Sequence, residues 1–342
     1  MKPIKVGLAS YGMSGQVFHA PFIAADPHFE LTAAVERSKD LIRERYPAVQ
    51  VVRSFGELIA LPGIELVVVN TPDVTHYEYS KLALEAGKHV VVEKPFVTTI
   101  AQAEELTALA AEKGLLLTAY QNRRLDGDFR TARHLIETGE LGRVIEYNAA
   151  FERFRDVRTE TWKERTDTRV GLLYNLGSHS LDQALVLFGM PQWVWCTMDV
   201  VRDGGQVCDY FQIMLGYPRM RANLRASMRS REPGPNIAVH GTQGSYAVSG
   251  VDPQEETLKA GATPGGEGWG SVPPEKWGTL NNDAGRAPYP TIAGDYALYY
   301  KNIHDCLRHG AAPDVTTVQM VDLIRLLETC YESNETGRRV EM

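Results

Sequence analysis

Along the first third of the chain, apolar and β-branched residues gather in short runs, each closed by a small or polar residue and followed by a longer segment of helical spacing. Ile4 to Ala9, Leu31 to Val35, Ile64 to Val69, Val90 to Val92 and Leu115 to Ala119 are such runs. Unbroken apolar runs of this length predict strands buried on both faces. Between them, Val17 to Ala25, a segment capped by Ser38 and ending at Arg45, Thr75 to Ala86, and Thr99 to Lys113 predict helices. Thr99 with Gln102 reads as a capping box, and Gly87 and Gly114 close two of the helices. Strands alternating with helices imply a parallel, doubly wound sheet of the Rossmann kind, here over residues 1–120.

From residue 121 onward the pattern changes. After a helix from Asp128 to Thr138 come longer runs with alternation: Val144 to Phe154, Trp193 to Val201, Tyr210 to Gly216, Arg219 to Met228, Ile237 to His240 and Tyr246 to Val248. These predict a second, α+β domain over residues 121–342, built on a large, mostly antiparallel sheet with one face packed on helices. Trp193, Trp195, Phe211 and Met214 read as core, with a subunit interface formed by sheet faces as the alternative. Gly261 to Tyr289 is rich in Gly and Pro and reads as an ordered loop. Asp295 to Arg308 and Thr317 to Ser333 read as amphipathic helices, long enough to pack back toward the first domain.

Two stretches carry candidate chemistry. Ser10-Tyr11-Gly12-Met13-Ser14-Gly15 follows the first strand and opens a helix, as a dinucleotide-binding turn does, with Ser10 where the pattern has its first glycine. Glu36 closes the second strand 24 residues after Gly12, where a ribose-binding acid belongs. In the second stretch, Lys94 stands at the carboxyl edge of the Val90 to Val92 strand, the edge outside which ligands collect in open α/β sheets, and Pro95 restricts it to extended geometry. A lysine held there in dry surroundings can do acid/base work. The plainer reading is a solvated lysine closing a strand. Tyr174 to Gln183 leads into a helix over Ala184 to Phe188 and sets Asn175, His179 and Asp182 a turn apart. Its plainer reading is a helix start satisfied by its own polar residues.

Composition narrows the partners. With 342 residues, 44% of them apolar, and a net charge of −7, the chain has core enough for two domains and no basic run to grip nucleic acid or anionic lipid. No stretch reaches the apolar length of a membrane span, and no signal segment precedes the first strand, so a cytoplasmic protein acting on small molecules is expected. Cys196, Cys208, Cys306 and Cys330 lie 12, 98 and 24 residues apart, which matches no metal or redox spacing. No metal is expected from them.

Taken in order, Ser10 to Gly15, Glu36, Thr71-Pro72 with His76, Glu93-Lys94-Pro95 and Tyr174 to Asp182 resemble the Gfo/Idh/MocA family of sugar and polyol oxidoreductases over nearly the whole chain. Val17-Phe18-His19-Ala20-Pro21, Gln121-Asn122-Arg123-Arg124 and Phe151-Glu152-Arg153-Phe154-Arg155 further resemble the branch that contains scyllo-inositol dehydrogenases. The resemblance implies a hydride transfer between a nicotinamide cofactor and a secondary alcohol or ketone of a sugar or cyclic polyol. It also implies a homo-oligomer assembled through the second sheet. Lys94 matches the lysine beside the nicotinamide, and His179 the histidine that touches the reacting hydroxyl. Asn175 stands where the family usually has Asp, and it can orient a sugar but cannot exchange a proton. Gln121 and Leu125 likewise replace the branch's common His and Trp. The implied cofactor contacts are Ser10, Gly12, Met13, Ser14, Gly15, Glu36, Arg37, Thr71, Pro72, His76, Glu93, Lys94 and Asn122, and the implied substrate contacts are Lys94, Arg123, Arg153, Asn175 and His179.

Between cofactors, Glu36 favours NAD, because its carboxylate would accept bonds from the ribose hydroxyls and repel a 2′-phosphate. Arg37, Ser38 and Lys39 could instead cradle that phosphate for NADP if Glu36 turned aside. A second function, a catalytically silent nucleotide-binding sensor, is suggested by Asn175. Lys94 and His179 favour the enzyme.

Overall fold

The computed structural model describes residues 2–156 and 171–342. The chain divides into two compact units: Met1–Asn122 with Gln254–Trp269 and Asp295–Ile324, and Arg123–Pro253 with Gly270–Gly294 and Arg325–Met342.

In the first unit, six strands form one sheet: β1 (Ile4–Leu8), β2 (Phe29–Val35), β3 (Gln50–Val52), β4 (Leu66–Val69), β5 (His89–Val92) and β6 (Leu117–Ala119). Their spatial order is β3-β2-β1-β4-β5-β6, with every pair parallel. The helices between them are α1 (Ala20–Ala25), α2 (Ile42–Arg45), α3 (Phe55–Ala60), α4 (His76–Glu85) and α5 (Ile100–Lys113). All of β4 and Val90 to Val92 of β5 are fully buried, as strands covered by helices on both faces must be. Strand order reverses between β1 and β4, which is the switch point where such sheets bind ligands.

Several local expectations are corrected here. Ser38 does not open a helix: α2 is a single turn, and the carboxylate of Glu36 caps it by accepting from Leu41 N–H at 3.1 Å and Ile42 N–H at 2.9 Å. Thr99 caps α5 as expected, accepting from Gln102 N–H at 3.3 Å, but the Gln102 carbonyl reaches back to Thr98. Strand β3 and helix α3 escape the hydrophobic pattern, β3 because it is three residues long. Helix α3 does carry a local signature, since Ser54 accepts from Glu57 N–H at 3.2 Å while the Glu57 carboxylate takes Arg53 N–H at 3.0 Å.

The second unit holds α6 (Gly127–Glu137), β7 (Val144–Glu152), α7 (Ser178–Phe188), β8 (Trp193–Asp199), β9 (Tyr210–Tyr217), β10 (Met220–Ser227), β11 (Ile237–Gly241) and β12 (Gly244–Val248). Helix α8 (Gln254–Lys259) returns to the first unit, and then β13 (Gly278–Asn282) and β14 (Gly285–Tyr289) follow in the second. After α9 (Ala297–His309) and α10 (Thr317–Thr336), the chain ends in β15 (Val340–Glu341). The second sheet runs β14-β13-β12-β11-β7-β10-β9-β8-β15, antiparallel except where β7 meets β10. The expected loop over Gly261 to Tyr289 therefore ends in a hairpin, turned at Asp283-Ala284, whose strands are short and Gly-flanked and so carry little hydrophobic signal.

One face of this sheet is core, with Tyr147, Phe211, Ile213, Leu224, Val239 and Tyr246 fully buried. Phe211 belongs to it, but Trp193, Trp195 and Met214 do not: they lie half-buried on the opposite face. There the Trp193 ring covers Gly216 across the strand pair, where a Cβ would stand 2.0 Å from the indole, and Arg221 and Arg339 each lie 5.0 Å from the same ring.

Candidate active site

The turn after β1 is held from the neighbouring strand. Asn70, which follows β4, accepts from Ser10 N–H at 2.9 Å through Oδ1 and donates from Nδ2 to Ser10 O at 2.8 Å. Ser10 does more than replace a glycine, because its Oγ accepts from Gly12 N–H at 3.1 Å and ties the turn closed. A helix begins at Met13 and runs without a break through α1. Its first-turn N–H groups have no intrahelical acceptor, which is the geometry that holds a phosphate. At Gly15 a Cβ would come within 2.6 Å of Ser10 O and 2.9 Å of Asn70 Nδ2, so only glycine lets the helix sit this close to the strand ends. The turn thus fits the pyrophosphate of a dinucleotide.

Glu36 is buried and turned inward onto α2, as described above. Arg53 braces the loop that follows it, donating to Glu36 O at 2.9 Å, to Lys39 O at 2.7 Å and to the Asp40 carboxylate at 2.9 Å. Arg37, Ser38 and Lys39 remain exposed on this loop.

Past β5, Glu93 Oε2 accepts from Lys94 N–H at 3.0 Å, and Lys94 itself is half-buried. The Lys94–Pro95 bond is cis. Burial works against the Glu93 anion, yet the hydrogen bond and charge of His19, together with Lys94, outweigh it and hold the carboxyl below its usual range. His76 is buried with Nδ1 2.8 Å from Pro95 O and Nε2 2.9 Å from Thr71 O. Its ring therefore links Thr71-Pro72 to the lysine segment, and both of its nitrogens are occupied by main chain.

In the second unit, Leu173–Gly177 forms a π-helical turn that carries Asn175 and leads directly into α7, where His179 is buried. Such turns recur at functional sites. Asp182, which the sequence set beside His179, is engaged elsewhere: both of its oxygens receive the Arg124 guanidinium, at 2.7 and 2.6 Å, in a buried fork. Arg123 pairs with Asp126 at 3.0 Å, lies 5.4 Å from the Phe151 ring and is held at its carbonyl by Gln183 Nε2 at 3.1 Å. A cavity of about 10 Å³, room for roughly one water, opens among Arg123, Asp126, Asp128, Phe151 and Gln183. Burial, with the Asp252 charge nearby, pushes the Asp128 carboxyl up to about 6. Arg153 follows β7, its N–H donating to Ser227 O at 3.0 Å.

Asn70, Arg53 and Arg124 were missed in the sequence. Asn70 had a positional signal, since it follows the apolar run of β4 at the same sheet edge as the turn. Arg53 had none, and Arg124, though it stands in the Gln121-Asn122-Arg123-Arg124 motif, gave no sign of its partner, because the partners lie 17 and 58 residues away.

A glycine-containing turn at the switch point of a parallel sheet is what a dinucleotide requires, and that geometry defines the first unit as a dinucleotide-binding domain. Residues 4–121 match the oxidoreductase family's NAD-binding Rossmann fold, and residues 133–342 match its C-terminal alpha/beta domain. The chain belongs to the Gfo/Idh/MocA oxidoreductase family. It is 37% identical over 341 residues to scyllo-inositol 2-dehydrogenase (NADP(+)) IolW of Bacillus subtilis, covering 98% of this chain and 95% of that protein. Uncharacterized oxidoreductase YdgJ of Escherichia coli is 39% identical, with 96% of each chain covered. A crystal structure from Bacteroides fragilis superposes with a TM-score of 0.92 at 48% identity, covering 99% of this chain and all of that one. Among the described residues, no helix is long and apolar enough to cross a membrane.

Proposed function

We propose that the protein is an NADP(H)-preferring dehydrogenase or reductase that transfers hydride at a secondary alcohol or ketone carbon of a sugar or inositol-like cyclic polyol. The placement of Lys94 carries this reading: it leaves β5 at the carboxyl edge of the dinucleotide-binding sheet, its main chain fixed by Glu93. The nicotinamide, when bound, supplies the hydride acceptor or donor. The rest falls to the protein's own groups. Lys94 Nζ takes the hydroxyl proton in oxidation and returns it in reduction. His179 hydrogen-bonds the reacting hydroxyl, Asn175 orients the ring without exchanging a proton, and Arg123 and Arg153 donate to further hydroxyls. Thr71, Pro72 and Asn122 line the cofactor.

The preference for NADP(H) reverses the expectation from Glu36. A carboxylate that accepts two backbone N–H groups of α2 is not presented to a ribose, and the exposed Arg37, Ser38 and Lys39 on a loop braced by Arg53 offer the charge a 2′-phosphate needs. The NADP(+) name of the Bacillus relative points the same way. We also propose that copies of the chain associate through the sheet face that carries Trp193, Trp195 and Met214.

Incubation with NADP or NAD and a panel of inositols and sugars, followed by absorbance of the reduced cofactor, tests the reading. Turnover with an inositol or sugar, faster with NADP, is expected. No turnover with either cofactor, in oxidation or in reduction of the matching ketones, would overturn it.

A further inference from the structure

Within the first unit a line of buried polar groups ends at the lysine segment. Tyr300 Oη, on α9, lies 2.7 Å from His19 Nδ1, and His19 Nε2 lies 3.1 Å from Glu93 Oε1. The other oxygen of Glu93 holds Lys94 N–H. His19 is 0% exposed and Tyr300 1%. Burial keeps the Tyr300 phenol protonated, well above its usual pKa. Because the ionised Glu93 carboxylate can only accept, His19 Nε2 is the donor in the bond between them. The bonds from His19 and from Lys94 N–H thus converge on the two oxygens of the Glu93 carboxylate. The ionisable groups around this line are Lys94, Tyr120, whose ring is 4.5 Å from that of His19, and Tyr299, 4.8 Å from Tyr120.

We propose that His19 and Tyr300 are positioning residues for Lys94: acting through Glu93, they fix where the lysine leaves the sheet and keep a negative charge beside it. This rests on the reading of Lys94 as the proton-transferring group. A histidine that only staples α9 to the sheet would show the same hydrogen bonds, so the test needs a readout that stapling does not move.

That readout is the pH dependence of Lys94 acetylation by acetic anhydride, followed by mass spectrometry, because it reports the lysine without any turnover. His19→Leu removes the donor to Glu93 while filling the space. Burial then protonates the carboxyl, the anion beside Lys94 is lost, and half-maximal acetylation moves to lower pH. With turnover as a second readout, kcat should fall on the order of 10–100-fold, as expected for a reacting group displaced by a fraction of an ångström, while NADP affinity by calorimetry stays within about twofold. His19→Gln, which can still present an N–H to Glu93, should recover most of both effects. Tyr300→Phe keeps the ring and should give a smaller shift of the same sign, and it carries the test if His19→Leu does not fold. An acetylation profile that is unmoved or moves upward in folded variants overturns the proposal. The two readings separate: an inactive wild type with a shifted profile refutes the polyol reaction and supports the positioning, whereas an active wild type with an unshifted profile refutes the positioning.

Discussion

At Glu36, one carboxylate decides between two cofactors by where it points. Residue type and spacing assign it to a ribose, but the N–H groups of Leu41 and Ile42 at the start of α2 take both of its oxygens, and Arg37 and Lys39 are the cationic side chains of the exposed loop, whose Asp40 is paired with Arg53. We expect the double substitution Arg37→Ala and Lys39→Ala to weaken NADP binding by about tenfold or more, the worth of roughly one hydrogen bond to a charged group, and to change NAD binding by less than about twofold. Calorimetry with both cofactors checks this, and equal losses would show that the loop does not read the phosphate. Lys94 stands at the centre of the chemistry. Lys94→Ala should bind NADP nearly as the wild type does and lose about 10²–10⁴-fold in kcat, because that is what a positioned proton-transfer group contributes. If more than about a tenth of the activity remained, proton transfer would belong to another group, most simply His179.

At the level of elements, the turn after β1 depends on close approach between strand ends and helix. Gly15→Ala places a methyl 2.6 Å from Ser10 O and should abolish measurable NADP binding while lowering Tm, and tight binding by a folded variant would contradict the packing argument. Helix α6 carries a different liability in Asp128. Its folded pKa of about 6 lies above the ordinary carboxylate value, so between pH 4 and 6 the unfolded chain ionises while the folded protein keeps its proton. Stability contributed by the protonated form is full below the unfolded pKa and is lost as pH rises toward 6. Asp128→Asn should therefore stabilise the protein at pH 7, by on the order of 1 kcal/mol once partial exposure is allowed for, and by nothing near pH 3. Denaturant unfolding at both pH values measures it, and an equal effect at both would remove the titration as the cause.

At the scale of the whole molecule, the outer face of the nine-stranded sheet carries two half-buried indole rings, Trp193 and Trp195. Trp195→Asp should shift the sedimenting species to a smaller one with the circular dichroism of the fold unchanged, and an unchanged species would place any self-association elsewhere. The longer strands of both sheets were legible from hydrophobic periodicity, because burial on two faces or on one imposes continuous or alternating runs, while the short strands β3, β13 and β14 carried too few buried residues to show it. The ends of α5 were legible because Thr99 and Gly114 close it locally, whereas the equally local Ser54 and Glu57 of α3 went unread for want of a hydrophobic run beside them. The dinucleotide turn and the edge lysine were legible as well, since both depend on residues that are neighbours in sequence. What the sequence could not determine was the outcome of competition between partners distant in sequence. Tyr300 reaches His19 across 281 residues, His19 reaches Glu93 across 74, and Asp182 goes to Arg124 rather than to its helical neighbours. Only the tertiary structure decides such contests, because a buried polar group takes whichever partner the packing of the chain brings within about 3 Å.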